Sequence, residues 1–303
     1  MKPADSDTVE VQLVRPSASA AAAALSSMQV AVDLGAATHP GLVRPNNEDS
    51  FLVSRADRSL ETLLTNLPAG EIPAWAAERS YGLVVADGMG GHAAGEVASH
   101  VALRAVVEHV LATADWIMRD VAAHAGRIEE RMAERFLAAD ESVQHEASRN
   151  PRFAGMGTTM TMAVSCGKNL FLGHVGDSRA YLLRGGELRV LTRDHSFAQA
   201  LADTGDISQS QVATHRMRSV LLRHVGAGSA QADICHHTLA NGDQLLLCTD
   251  GLTDLVDEAP IAAILQSAPT AQAACDQLLA AALAAGGKDN ITVVIARYTW
   301  QPR

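Results

Sequence analysis

The sequence predicts an α+β protein in which two antiparallel β-sheets form a sandwich flanked by pairs of helices. Short apolar runs bounded by Gly, Asn and Asp are typical of strands, and here they come in groups. Two long segments with apolar residues at helical spacing separate the first group from the second, and two more precede the last strand. Strands and helices segregated in this way favour an α+β sandwich over a parallel α/β sheet.

The amino-terminal half supplies the first strands and both long helices. Residues 1–27 are rich in Ala and Ser without periodicity, and we expect a disordered tail there. Asp57 to Ser80 interrupts the β pattern with scattered leucines, so we expect an inserted helical segment on the surface. The expected strands are Met28 to Ala37, Ser50 to Arg55 and Tyr81 to Ala86. The expected helices are Gly95 to Thr113 and Arg119 to Ser148.

The carboxy-terminal half is mostly β, with two helices before its last strand. The segment from Ile207 to Gly228 has no acidic residue and no periodicity, and we expect it to be irregular. The expected strands are Thr158 to Ser165, Leu170 to Val175, Arg179 to Leu183, Leu188 to Leu191, Ile234 to Leu239, Gln244 to Cys248 and Ile291 to Ala296. The expected helices are Ser196 to Asp203, Ala259 to Gln266 and Thr270 to Ala285.

Composition excludes several classes of function. The net charge of −10 argues against broad binding of nucleic acid or anionic membranes, because either would need a basic face. No apolar stretch approaches the roughly 20 residues that a membrane span needs. The four cysteines lack paired ligand spacing and no secretory leader precedes them, so we expect reduced thiols in a cytoplasmic protein.

Four aspartates lie at strand ends. Asp87, Asp177 and Asp250 each follow an apolar β run, and Asp289 stands just before one. A single aspartate of this kind is usually part of a turn, but strand ends gather at the rims of a sandwich and four of them can converge. Carboxylate and carbonyl oxygens suit Mg²⁺ or Mn²⁺, whereas zinc would favour His or Cys ligands.

Such a site would suit phosphoryl chemistry. Two divalent ions held close together can deprotonate a bridging water and clamp a phosphoryl oxygen. Arg44 offers a planar, permanently charged fork that suits a phosphate dianion, although spacing alone equally allows a surface arginine.

Six motifs, in this order, carry a resemblance to a known family. They are RPNNEDS (44–50), VADGMGGHAAGE (85–96), GMGTT (155–159), HVGDSRAYLLR (174–184), LLCTDGLTD (246–254) and GKDNITVV (287–294). The chain resembles the metal-dependent Ser/Thr protein phosphatases of the PPM, or type 2C, class, particularly the bacterial stand-alone members. The resemblance covers roughly residues 28–297. It implies the same β-sandwich flanked by helices as a single catalytic domain over 28–298, with 57–80 as an insertion.

The resemblance implies a centre of two Mn²⁺ or Mg²⁺ ions. Asp87 is similar to the carboxylate that bridges them, and the carbonyl of Gly88 to a ligand of the second ion. Asp250 and Asp289 are similar to the remaining direct ligands of the first ion. Asp49, together with Glu48, would act through metal-bound water.

Further residues match secondary roles in the family. Asp177 is similar to the ligand of a third, weaker ion, which would share Asp250. Arg44 matches the phosphate-binding arginine, and Asn290 matches a residue that supports a ligand. Residues 203–226 occupy the place of a mobile flap that shapes substrate choice.

The chain departs from the family pattern at Met89. Eukaryotic members carry a histidine there, proposed as the general acid, and His92 is the nearby alternative. The implied activity is hydrolysis of phosphoserine and phosphothreonine by in-line attack of a metal-bridging hydroxide. The implied partners are phosphorylated proteins that a Ser/Thr kinase produces, and we expect a monomer.

Two other functions were weighed. No cysteine has an arginine six positions later and neither Lys168 nor Lys288 completes a P-loop, so cysteine-nucleophile and P-loop chemistry are excluded. A metal-binding pseudophosphatase that docks phosphoproteins is the remaining alternative. Such a protein would be expected to lack a ligand, and no ligand is missing here.

Overall fold

The computed structural model describes residues 30–68, 70–90, 94–113, 125–228 and 230–300. It contains eleven strands in this described part: β1 Val30–His39, β2 Asp49–Glu61, β3 Trp75–Met89, β4 Gly157–Thr158, β5 Met160–Cys166, β6 Asn169–Val175, β7 Arg179–Arg184, β8 Glu187–Val190, β9 Asp233–Thr238, β10 Gln244–Cys248 and β11 Ile291–Trp300. The described helices are α1 Ala94–Ala112, α2 Ala125–Arg149, α3 Phe197–Thr204, α4 Gln209–Val212, α5 Asp250–Thr253, α6 Glu258–Ser267 and α7 Ala271–Ala284.

The strands form two sheets in which every described pairing is antiparallel. One sheet has the order β1-β11-β10-β7-β8, and the other has the order β2-β3-β5-β6-β9, with β4 paired to β3. The predicted fold class is therefore confirmed. No helix in the described ranges is long and apolar enough to cross a membrane.

Three apolar layers hold the sandwich together. Leu83, Leu172 and Leu245 belong to the cluster between the two sheets. On the outside, α1 and α2 cover the β2-containing sheet, and α6 and α7 cover the β1-containing sheet. Because each sheet is buried on both faces, its central strands are almost continuously apolar, as β10 (Gln-Leu-Leu-Leu-Cys) illustrates.

The expectation of a helical segment between Asp57 and Ser80 was wrong. β2 continues to Glu61 and β3 begins at Trp75, so both strands extend as a long hairpin. The apolar residues behind the expectation form no buried helical face, since Leu63, Leu64, Leu67 and Ile72 are exposed and Trp75 opens β3. Strand pairing with β3, rather than apolar spacing, decides the structure of this segment.

Other differences are small. α5 begins at Asp250 itself, so an aspartate expected at a strand end also opens a helical turn. The second long helix, expected from Arg119, is described from Ala125 onwards. The expected tail at 1–27 lies outside the described residues, as do 119–124.

Candidate metal centre

One end of the sandwich carries a cavity of about 670 Å³ between the two sheets. Asp87 and Asp177 reach it from the β2-containing sheet, and Asp250 and Asp289 reach it from the other sheet. Asp49 pairs directly with Asp87 across β2 and β3. The structure therefore brings all five predicted carboxylates to one site, together with Gly88 and Arg44 in the cavity wall.

The turn at Asp87 and Gly88 is fixed by its backbone. The Asp87 amide donates to Thr159 Oγ1 at 2.9 Å, and the Asp87 carbonyl accepts from the Thr159 amide and the Thr158 hydroxyl. A side chain at Gly88 would bring its Cβ to 2.1 Å from the Gly95 carbonyl oxygen at the start of α1. Glycine is therefore required at position 88, because the end of β3 packs directly against the start of α1.

Asp49 is buried beside this turn and lacks one partner. Its Oδ2 accepts a 2.8 Å hydrogen bond from Thr249, the residue before Asp250. Its Oδ1 has no hydrogen-bond partner among the described residues. A buried carboxylate oxygen without a donor is costly unless a cation satisfies it.

Asp289 is held by the loop that carries Arg44. Arg44 Nη2 donates to Asp289 Oδ2 at 2.6 Å, and the Asn290 amide donates to Oδ1. Asn290 also ties the loop down, because its side chain accepts from the Glu48 amide and donates to the carbonyls of Pro40 and Asn46. Asn290 therefore fixes the loop that carries Arg44 beside Asp289.

Asp177 lies at the turn between β6 and β7. Its neighbours have other partners, since Ser178 hydrogen-bonds Thr159 at 2.7 Å and Arg179 forms a two-pronged pair with Asp194. The preceding Gly176 has φ +114°, a conformation that turns the chain sharply at the end of β6. The carboxylate of Asp177 consequently faces the cavity.

The carboxylates of the cluster resist ionising together. Burial, and then the neighbouring aspartates, raise the pKa of Asp49 to about 7 and that of Asp250 to about 6. The pKa values of Asp87 and Asp177 are raised well above the usual range for the same two reasons. The hydrogen bond and charge of Asp289 raise the pKa of Arg44. A divalent cation would relieve this repulsion.

The donor set fits Mg²⁺ or Mn²⁺ with water in the remaining positions. Among the described residues, no three acidic, histidine or cysteine side chains are close enough to enclose an ion by themselves. Hard octahedral cations retain several waters and use one or two carboxylates each, so a closed cage is not required. The orphaned oxygen of Asp49 and the aspartates in the cavity wall agree with such an ion.

Basic side chains line the cavity rim. Arg218, from the predicted flap, pairs with Asp254 just after α5, and both residues line the cavity with Lys288. Arg216, two residues away, does not line it. Met89 lines the cavity where a histidine was considered as the general acid, whereas His92 lies outside the described residues.

Sequence reasoning missed the residues that hold the flap to the site. Asp140 is buried in α2 and accepts hydrogen bonds from the amides of Gly226 and Gly228 at the end of the flap. Val225 then pairs with Thr158, which binds the Asp87 carbonyl. A signal was available, because Asp140 occupies a core position between Phe136 and Val143, where a charged residue requires a specific partner.

Comparison with known proteins places the chain in a family. A family model described as protein phosphatase 2C matches residues 72–285. The serine/threonine protein phosphatase PstP of Mycobacterium tuberculosis is 36% identical over 256 residues, which are 84% of this chain and 43% of PstP. The serine/threonine phosphatase stp of Listeria innocua is 36% identical over 214 residues, covering 70% of this chain and 82% of that protein. The chain thus spans less than half the length of PstP.

Solved structures agree with the sequence comparison. The catalytic domain of PstP in complex with two manganese ions superimposes with a TM-score of 0.70 at 32% identity, covering 89% of this chain and 99% of that one. The fold, the cavity of strand-end aspartates and the sequence matches all give the same result: the chain belongs to the protein phosphatase 2C family.

Proposed function

We propose that this protein is a metal-dependent phosphatase that hydrolyses phosphoserine and phosphothreonine in proteins. The observation that carries the proposal is the cavity itself, which combines five clustered carboxylates with a basic rim. Carboxylates alone would repel a phosphate dianion, so substrate binding here requires both cations among the aspartates and arginine at the rim.

The aspartates would hold two Mn²⁺ or Mg²⁺ ions, and a third more weakly. Asp87 lines the cavity and pairs with Asp49, so it would be the shared ligand, with the Gly88 carbonyl beside it. Asp250 and Asp289 would complete the site from the opposite sheet, and Asp177, which also lines the cavity, would be the ligand of the weaker ion. When bound, such ions activate a water molecule as the nucleophile and neutralise charge on the phosphoryl group.

Arg44 would bind the phosphoryl oxygens. Its side chain is 55% exposed and its described ion pair is with Asp289, so the guanidinium already stands at the boundary between the carboxylates and solvent. A planar guanidinium can donate two parallel hydrogen bonds to phosphate. Rotation about its flexible stem would transfer it from Asp289 to a substrate.

The substrate would be a phosphorylated protein segment rather than a small metabolite. The cavity is open to solvent along a rim that includes the flap residues Arg218, Ser219 and Leu221. These side chains can contact the chain on either side of a phosphorylated residue. The curated relatives named above are serine/threonine phosphatases, which supports the same substrate class.

The decisive experiment measures hydrolysis of an aryl phosphate and of a phosphothreonine peptide before and after chelation. We expect turnover to disappear in excess EDTA and to return when Mn²⁺ is restored. The pseudophosphatase alternative predicts no turnover in any metal together with retained binding of the phosphopeptide. Undiminished turnover in EDTA would contradict the metal-dependent mechanism.

A further inference from the structure

The two long edge strands of the sandwich, β1 and β2, differ in how their outer edges are covered. β1 is an edge strand, and α7 covers part of it: Gln272 accepts from the Ala36 amide and donates to the Ala36 carbonyl. β2, with 13 residues, is the edge of the other sheet, and in the described part of the chain it pairs with β3 alone. An uncovered edge strand of this length is a template for another strand.

The backbone groups that face outward can be identified from the pairing. The Gly88 amide donates to the Glu48 carbonyl, so even-numbered residues along this register direct their amide and carbonyl groups towards β3. Odd-numbered residues therefore direct theirs to the open edge. The outward set is Phe51, Val53, Arg55, Asp57, Ser59 and Glu61.

Beyond Ala56 the sheet narrows to two strands. β5 pairs with β3 only at Ser80–Val85, so beyond Ala56 residues 57–61 and 75–79 form a two-stranded ribbon. One of its strands is covered, since Ala76 and Ala77 of β3 are buried, whereas residues 59–61 of β2 are exposed. The loop at its end also exposes Leu63 and Leu64, at 67% and 59%. A ribbon of this kind, with exposed apolar residues, calls for a partner surface.

We propose that β2 forms a two-fold dimer interface, in which the outer edges of two β2 strands, one from each copy of this chain, pair antiparallel about Ala56. This inference replaces the monomer expected from the sequence. It does not depend on the proposed function, because no proposed metal ligand other than the buried Asp49 lies on β2.

The charges of β2 select this register. Pairing about Ala56 places Arg55 of each copy opposite Asp57 of the other copy, so the two-fold axis produces this pair twice. The backbone amides and carbonyls of both residues face the open edge. Shifting the axis to Arg55 or to Asp57 would place like charges opposite each other, which is destabilising. Within one chain Asp57 already pairs with Arg55 at 3.3 Å and with Arg79 of β3 at 2.6 Å, so Arg55 of a second copy would join an existing charge network.

The same register covers exposed apolar surface. Leu60, 46% exposed, comes opposite Leu52 of the second copy, and Val53 comes opposite Ser59. Residues 57–61 of each ribbon would lie along residues 51–55 of the other copy. The two-stranded ribbon would thereby gain a third strand and become part of its partner's sheet.

The test is charge-reversal complementation with the full chain, using molar mass from light scattering across a concentration series. The wild-type protein should be a dimer. Arg55→Glu and Asp57→Lys should each weaken it on the order of tenfold or more, because each places like charges opposite each other twice. A 1:1 mixture of the two variants should recover the dimer, since both cross-strand pairs are then attractive.

Arg189→Glu is the matched control, because Arg189 forms an exposed ion pair with Glu187 on β8, another edge strand. It should leave the mass unchanged. Ser59→Pro, which removes an outward-facing amide only, should also give monomers. Asp57 lies about 26 Å along the strand from Asp49, at ~3.3 Å per residue, so these substitutions should not reach the cavity directly. Retained aryl phosphate turnover would therefore show that each variant is folded.

A wild-type monomer would overturn the proposal, whether another segment or a foreign protein covers the edge. Dimers that persist in Arg55→Glu and Asp57→Lys would place the interface elsewhere and overturn it equally. Monomers in both variants without recovery on mixing would reject the Ala56 register.

Discussion

The floor and the rim of the cavity are built in opposite ways. On the floor, Asp49 and Asp87 are held by strand pairing; the Thr249 hydroxyl donates to Asp49, and the Asp87 amide donates to the Thr159 hydroxyl. On the rim, Arg44 and Arg218 are largely exposed, and each is held by one ion pair to a half-exposed aspartate. The floor is fixed before any ligand arrives, whereas the rim can exchange its partners.

This difference separates two tasks. Fixed, clustered carboxylates suit the placement of cations, which tolerates little displacement. Exposed ion pairs contribute little to stability, so their arginines can transfer to a substrate at small cost. Changes to the floor should therefore affect every substrate alike, and changes to the rim should affect substrates differently.

The largest effect is expected at Asp87. Asp87→Asn should lower kcat on an aryl phosphate and on a phosphopeptide by roughly a thousandfold or more, because the proposed shared ligand of both ions loses its charge. Steady-state kinetics at saturating Mn²⁺ measure this. Asp276→Asn, an exposed change on α7, is the control. Substantial residual activity in Asp87→Asn would remove this residue from the centre.

Arg44→Ala comes next. A charge-assisted hydrogen bond is worth about 1.5–3 kcal/mol, so kcat/KM should fall roughly 10- to 100-fold on either substrate. The variant should still bind metal, which can be measured as the rise in its melting temperature when Mn²⁺ is added. Arg44→Lys keeps the charge but not the fork and should recover part of the loss. A wild-type kcat/KM in Arg44→Ala would place this arginine outside the reaction.

Asp177 tests the weakest part of the floor. Asp177→Ala should leave the fold and the two stronger ions intact but raise the Mn²⁺ concentration required for half-maximal turnover by roughly tenfold. Calorimetric titration should count one ion fewer than in the wild type. If the ion count is unchanged and the melting temperature falls, Asp177 serves the turn and not a metal.

The smallest effect is expected at Arg218. Arg218→Ala should lower kcat/KM for a phosphoprotein by several-fold, in the range of a rim contact, while sparing an aryl phosphate. Arg216→Ala is the matched control, because this arginine is on the same segment but does not line the cavity. Equal losses on both substrates in Arg218→Ala would mean that the flap takes part in the chemistry itself.

The sequence was sufficient for the floor because each aspartate is tied to a strand end. Asp87, Asp177 and Asp250 follow apolar β runs, and a sandwich brings those ends together whatever the details of packing. The sequence did not predict that Asp49 pairs directly with Asp87, since register between distant strands depends on both sheets. It also did not predict the Arg218–Asp254 pair, which joins residues 36 positions apart through an irregular segment.

The segment at 57–80 shows where pattern reading fails. The helical expectation came from Leu63, Leu64, Leu67, Ile72 and Trp75, but apolar residues predict a helix only if they form a buried face. Here no core lies beneath them, and the neighbouring β3 offered continued pairing instead. Propensity and spacing are weak priors that tertiary pairing overrides.

The pairing of β1 with β11 has a consequence for biosynthesis. Thr38 and Thr292 hydrogen-bond at 2.7 Å although 254 positions separate them, and the loop of Arg44 is anchored to Asp289 and Asn290. Pairing between such distant segments is slow, because a long loop must close first. On the ribosome, at about 5–20 residues per second, Asp49 and Asp87 emerge long before Asp289. The nascent chain therefore lacks the complete cluster of aspartates until Asp289 and β11 have been made.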